Sequence, residues 1–150
     1  MTQESSAGLL STDPLLSLLE GAQVSKSSLI RVTGPSGLSA LLWLCRHGFE
    51  RVGYVKPGAG RPNEDADALI VAHTCDESAL ERLLLTGPQV REGGVLIFRS
   101  PLPTNAEAGR SDPIHRLLQR SGYVVEKCLH GGRRELHVAR RRSDAWLKAA

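Results

Sequence analysis

The sequence predicts a three-layer α/β fold: a mixed sheet of about six strands, mostly parallel, with helices on both faces and a C-terminal antiparallel hairpin. Three observations lead there. The apolar runs LIRV (29–32), ALIVAH (68–73) and VLIF (95–98) are short and bounded by turn residues, as strands buried on both faces are. Segments with helical spacing separate them, which implies parallel neighbours joined by right-handed crossovers. Finally, YVVEKCL, the turn His130-Gly131-Gly132 and RELHVARR follow one another in a hairpin pattern.

Residues 1–28 read as a lead-in with one short helix, in which Asp13 caps, Pro14 takes the first helical position and Gly21 ends the segment. Leu15, Leu18 and Leu19 share a face there, which can pack on the domain or serve a partner. The α/β domain occupies residues 29–142. After the first strand comes the turn Thr33-Gly34-Pro35-Ser36-Gly37, then a helix in which Leu38, Leu41, Leu42 and Cys45 keep helical spacing before Gly48. A second strand covers residues 49–55, and KPGAGRPNEDA is a loop. Following the strand at 68–73, Thr74 and Glu77 stand at capping-box spacing ahead of the helix SALERLLLTG. The turn Glu92-Gly93-Gly94 precedes VLIF, PLPTNAEAGRS is a polar loop, and Asp112-Pro113 starts the helix IHRLLQRSG. Residues 143–150, with Trp146, form a tail that can dock on this chain or on another subunit.

Composition narrows the function classes. A hydrophobic share of 41% and a charged share of 23% are those of an ordinary globular protein. Aromatics make up only 4%, which disfavours stacking on single-stranded nucleic acid. The net charge is +3, and much of the positive charge is local, at Arg133 and Arg134 and at Arg140, Arg141 and Arg142. Such a cluster can meet phosphates. Three widely spaced cysteines without a CxxC argue against a disulfide framework or a zinc site, and His115, His130 and His137 show no metal-ligand spacing. The sequence lacks a long apolar run and a signal-peptide pattern, so the expected location is cytoplasmic, away from membranes.

Three stretches carry a resemblance. Asp67-Ala-Leu-Ile-Val-Ala72 opens a central strand with an acid. Residues 83–98, LLLTGPQVREGGVLIF, join a helix to a strand through a Gly-Gly turn. Residues 117–125, LLQRSGYVV, lead from a helix into the closing hairpin. In this order they resemble the class I S-adenosylmethionine-dependent methyltransferases, a Rossmann-type superfamily, over about three quarters of the chain. The resemblance implies S-adenosylmethionine as cofactor, with the glycine turn at Gly34, Ser36 and Gly37 beside its methionine part. It also implies that catalytic groups follow the central strand, where His73 stands as a candidate base. The chain departs from the family in three ways. A proline interrupts the glycine turn and no acid precedes it. Lys56 stands at the end of the second strand, where an acid accepts hydrogen bonds from ribose hydroxyls, and an ammonium cannot accept them. The stretch KPGAGRPNEDAD replaces the third-strand unit that shelters adenine, leaving Glu64, Asp65 or Asp67 as substitutes or as solvated loop acids.

The first expectation is therefore a degenerate methyltransferase-like pseudoenzyme that binds no cofactor in the usual way and regulates through contacts with another protein, or as a homo-oligomer. Two alternatives stand beside it: an active methyltransferase with a shortened adenine pocket, and a nucleic-acid-associated protein using the C-terminal arginines.

Overall fold

The computed structural model describes residues 13–35, 37–56, 64–101, 113–131 and 134–142. Helix α1 spans Asp13–Gly21, β1 Leu29–Thr33, α2 Gly37–Arg46, β2 Arg51–Val55 and β3 Ala66–Thr74. Then follow α3 at Glu77–Thr86, β4 at Val90–Pro101, α4 at Pro113–Arg120, β5 at Tyr123–Gly131 and β6 at Arg134–Arg141. The six strands form one sheet in the order β2-β1-β3-β4-β6-β5. β1 pairs in parallel with β2 and β3, β3 pairs in parallel with β4, and β6 lies antiparallel between β4 and β5. The expected mixed sheet with a closing hairpin is the one observed.

Helices cover both faces. On one face Leu18 and Leu19 of α1 and Leu44 of α2 pack with Ile30, Val32, Ile70, Val95 and Ile97. On the other, Leu80 of α3 and Ile114, Leu117 and Leu118 of α4 pack with Leu69, Val71, Leu96 and Phe98. Burial of this kind, at roughly 25 cal/mol per Å² of apolar surface, is the main favourable term in folding. Helix α1 therefore packs its leucine face on the domain.

Four local expectations need correction. The buried side of α2 is formed by Leu44 with Ala40 and Trp43, while Leu38 and Leu42 remain 61% and 55% exposed and Cys45 is exposed. The apolar spacing 38–42–45 thus marks an outward stripe, because the helix turns its smaller residues, Gly37 and Ala40, to the sheet. Asp76, not Thr74, caps α3 by accepting a hydrogen bond from the Ala79 amide at 2.8 Å, since Thr74 is still in β3. Glu92-Gly93-Gly94 is not a turn before a short strand but a bulge inside the long β4: Ala66 faces Val90 while Ala68 already faces Val95. A β-carbon on Gly94 would lie 2.8 Å from the Asp67 carbonyl, which is why the bulge needs glycine there. Finally, β2 begins at Arg51 rather than at residue 49, because Phe49 turns into the core instead.

Two side chains knit the amino-terminal edge of the sheet. Asp67 accepts from the Leu29 amide at 2.7 Å and from the Arg91 guanidinium, tying β3 to β1 and β4. Burial works to raise its carboxyl, but the Arg91 hydrogen bond, the Leu29 amide and the neighbouring Arg51 charge hold it below its ordinary value. Arg140 of β6 donates to the Glu126 carboxylate at 2.7 Å, to the Gly93 carbonyl at 2.6 Å and to the Ala22 carbonyl at 3.0 Å. One guanidinium so joins β5, the β4 bulge and the end of α1.

Candidate functional site

In an open α/β sheet, ligands lie at the carboxyl ends of the parallel strands. Register places the ends of β1, β2 and β3 side by side, with Thr33 opposite Val55 and Val71. Gly34, Lys56, His73 and Cys75 therefore share this edge. The Thr33 hydroxyl donates to the Val55 carbonyl at 2.8 Å and fixes β1 against β2 where the glycine turn begins.

Both described glycines of that turn meet a side chain of the chain itself. Gly34 has φ +108°, a conformation open to glycine and strained for other residues, and a β-carbon there would lie 2.4 Å from His73 Nδ1. At Gly37 a β-carbon would lie 2.4 Å from the Tyr54 ring. The Tyr54 hydroxyl donates to the Gly34 carbonyl at 3.1 Å, so β2 closes over the turn. Ser36 lies outside the described residues. Lys56 follows β2 and is exposed, a cation at the strand end.

His73 is on the expected edge and half-buried. Its Nδ1 is buried against Gly34 without a hydrogen-bond partner among the described residues, and its Nε2 is 3.9 Å from Cys75 Sγ. The Cys75 thiol is pushed up to about 11 by burial and by the Asp76 charge. It is thus a neutral thiol near pH 7, and inert as a nucleophile.

The acids considered for adenine lie elsewhere. Glu64 faces Arg51 at 3.7 Å, Asp65 faces Arg141 at 4.0 Å and Asp67 holds Arg91, all at the amino-terminal edge. With about 3.3 Å of rise per strand residue, Asp67 is roughly 20 Å along β3 from His73. These acids stand toward the opposite end of the strands from Gly34. Of the arginine cluster, the described side chains are those of Arg140, Arg141 and Arg142. Arg140 is engaged as described, and Arg141 donates to the Val90 carbonyl at 2.6 Å. Arg142 is half-buried, its amide donating to the Gly122 carbonyl at 2.8 Å. Arg134 opens β6, and Arg133 and Trp146 lie outside the described residues. The structure gives Arg140 and Arg141 to internal carbonyls and carboxylates rather than to a phosphate-binding face.

One cluster escaped the sequence reading. Ser100 Oγ lies 2.7 Å from His137 Nε2, and Glu135 Oε1 lies 3.7 Å from the same nitrogen. Cys128 joins them, with the donor atoms of Cys128, Glu135 and His137 all within 4.8 Å of one another. His137 is fully buried, stacked on Phe98 and edge-on to His115. The sequence shows no metal-ligand spacing for His137, yet the fold brings it beside Glu135 and Cys128. Its signal was present in the hairpin: the antiparallel pairing of β5 with β6 sets Cys128 opposite His137 and places Glu135 two residues away on the same face. A separate cleft of about 510 Å³ runs between the start of α3 and α4, lined by Glu77, Arg116, Gln119 and Arg120, and touches neither group.

No protein-family model and no curated protein matches the chain. Solved structures do. The magnesium protoporphyrin IX methyltransferase ChlM from Synechocystis PCC 6803, with bound SAH, superposes with a TM-score of 0.65 at 10% identity, over 89% of this chain and 83% of that one. The ribosomal protein L11 methylase from Lactobacillus delbrueckii subsp. bulgaricus gives 0.56 at 15% identity over 83% and 75%. A putative methyltransferase, yhhF, from Escherichia coli gives 0.55 at 11% identity over 89% and 88%. The chain spans 42% of the family 2 O-methyltransferase from Planctomyces limnophilus DSM 3776, at a TM-score of 0.50, 15% identity and 75% coverage of its own length. At such identities the likeness is one of fold: the chain has the class I methyltransferase-like, Rossmann-type architecture.

Proposed function

We propose that this methyltransferase-like domain has lost the usual cofactor site and works as a binding or regulatory module for another protein. The observation that carries this reading is the packing of the glycine turn. A methyl donor needs backbone it can approach, with small residues making the room. Here Gly34 and Gly37 give their room to His73 and Tyr54. Lys56 offers no acceptor to a ribose, and among the described residues β2 is the edge of the sheet. These residues do not fit an S-adenosyl group. The solvent-facing Leu38 and Leu42 suit a protein contact, since apolar side chains on a helix surface gain from being covered. No helix among the described residues is long and apolar enough to cross a membrane, and a cytoplasmic location belongs to this proposal.

Retention of both glycines after β1 favours the second reading, an active methyltransferase with a shortened pocket. Calorimetric titration with S-adenosylmethionine and S-adenosylhomocysteine separates the two. Absence of heat at millimolar ligand supports the regulatory module; binding at micromolar strength refutes it and begins the search for a methyl acceptor.

A further inference from the structure

We infer that Cys128, Glu135 and His137 form a binding site for a zinc-class divalent transition metal, independent of the glycine turn. The three residues are brought together by strand pairing. Cys128 and His137 are direct partners across β5 and β6, and Glu135 precedes His137 by two residues on the same face. Directly paired residues hold their β-carbons about 4.5–5.5 Å apart, so the ladder orders the donors before any ion arrives.

The donor set selects the ion. A thiolate, an imidazole and a carboxylate suit zinc and its neighbours, whereas calcium and magnesium require oxygen throughout. The spacing is also close to what coordination needs. With metal–ligand bonds of about 2.0–2.1 Å, two donors at a tetrahedral angle stand ~3.3 Å apart. Glu135 Oε1 and His137 Nε2 are 3.7 Å apart, and the whole set lies within 4.8 Å. Small side-chain rotations close the remainder.

The surroundings hold the ligands in place. Phe98 stacks on the His137 ring with centroids 4.8 Å apart, and His115 meets it edge-on at 5.7 Å. Ser100 Oγ, 2.7 Å from the same nitrogen, gives up that hydrogen bond when the metal binds and remains beside it as a polar neighbour. Glu135 and His137 are both buried, and a cation between a carboxylate and an imidazole compensates their loss of water. Three protein ligands leave a fourth position for water or a small ligand, the arrangement of open rather than closed metal sites.

The test uses the full chain, stripped with a chelator and titrated with Co²⁺ and then Zn²⁺. The expected result is saturation at one equivalent of Co²⁺, with intense four-coordinate absorption and a thiolate-to-cobalt charge-transfer band that Zn²⁺ abolishes. Cys128→Ser removes the charge-transfer band and weakens binding by at least about tenfold, and Glu135→Gln weakens it similarly. Cys45→Ser and Cys75→Ser change neither. Because His137 is wholly buried, the half-buried Cys128 is the informative position, with circular dichroism verifying that its variant is folded. A missing charge-transfer band in the wild type, or unchanged affinity in folded Cys128→Ser, overturns the inference.

Discussion

Replacing Gly34 with alanine tests whether the glycine turn is filled from within. Two penalties act at this position. A residue with a side chain at φ +108° costs of order 1–3 kcal/mol in backbone strain. The new β-carbon also falls 2.4 Å from His73 Nδ1, and pushing that ring aside costs about 1–3 kcal/mol more. The single variant should therefore lose roughly 2–6 kcal/mol, a large share of a typical domain's stability. In a His73→Ala background the ring is gone, and the backbone strain remains together with a tight 3.3 Å approach to the Ala72 nitrogen. The two substitutions should then couple by about 1–3 kcal/mol in a double-mutant cycle, read from equilibrium urea unfolding with unchanged denaturant slopes. Costs that simply add, within about 0.3–0.5 kcal/mol, would refute the contact and reopen the turn to a ligand.

Other consequences are as direct. Leu44→Ala should cost about 2–5 kcal/mol, whereas Leu42→Ala should stay within roughly 0.5 kcal/mol; the reverse order in thermal unfolding would mean that α2 faces the other way. The depressed Asp67 carboxyl contributes stability that is complete above its ordinary value of about 3.9 and is lost as pH falls through its lower folded value. Asp67→Asn should accordingly be less stable at neutral pH and show a shallower acid unfolding limb, and an unchanged limb contradicts the assignment. The Cys75 thiol, raised to about 11, should resist alkylation at pH 8 while the exposed Cys45 reacts, as peptide mapping would show; equal labelling would place Cys75 outside the core. Arg140→Ala removes three hydrogen bonds, two of them to backbone carbonyls, and should cost about 2–4 kcal/mol. Generic DNA binding that weakened in step with this substitution would argue for an exposed guanidinium instead.

The strand order was legible because buried strands write themselves as short apolar runs and the crossovers repeat a helical period. Residues 68–73 and 95–98 announced the sheet centre, and the Gly-Gly hairpin announced its antiparallel end. What periodicity could not settle was which side of α2 faces inward, since Leu38, Leu41, Leu42 and Leu44 encircle much of that helix. The choice depends on the room the sheet leaves, and Gly37 and Ala40 permit the close approach. The bulge at Gly93 was hidden for a related reason: a Gly-Gly pair marks a turn and an irregular strand alike. At the candidate site, the positions of Gly34, Lys56 and His73 were readable in advance, but not what occupies the space between them. Tyr54 and His73 reach the turn from two other strands, and only the register of those strands reveals it. The Cys128–Glu135–His137 cluster is similar, because ligand spacing in sequence presumes neighbours along one chain segment and these donors meet across a hairpin.

Among the strands of the described residues, β6 comes last in sequence yet lies inside the sheet, with Arg140 reaching back to Ala22. A chain emerging from the ribosome must therefore wait for residues 134–141 before β4 has its second partner beside β3 and Arg140 reaches the end of α1. Until then the nascent protein presents an adhesive strand edge at its centre. Premature termination before β6 would thus leave a product that invites chaperones and proteases, rather than a domain merely trimmed at its rim.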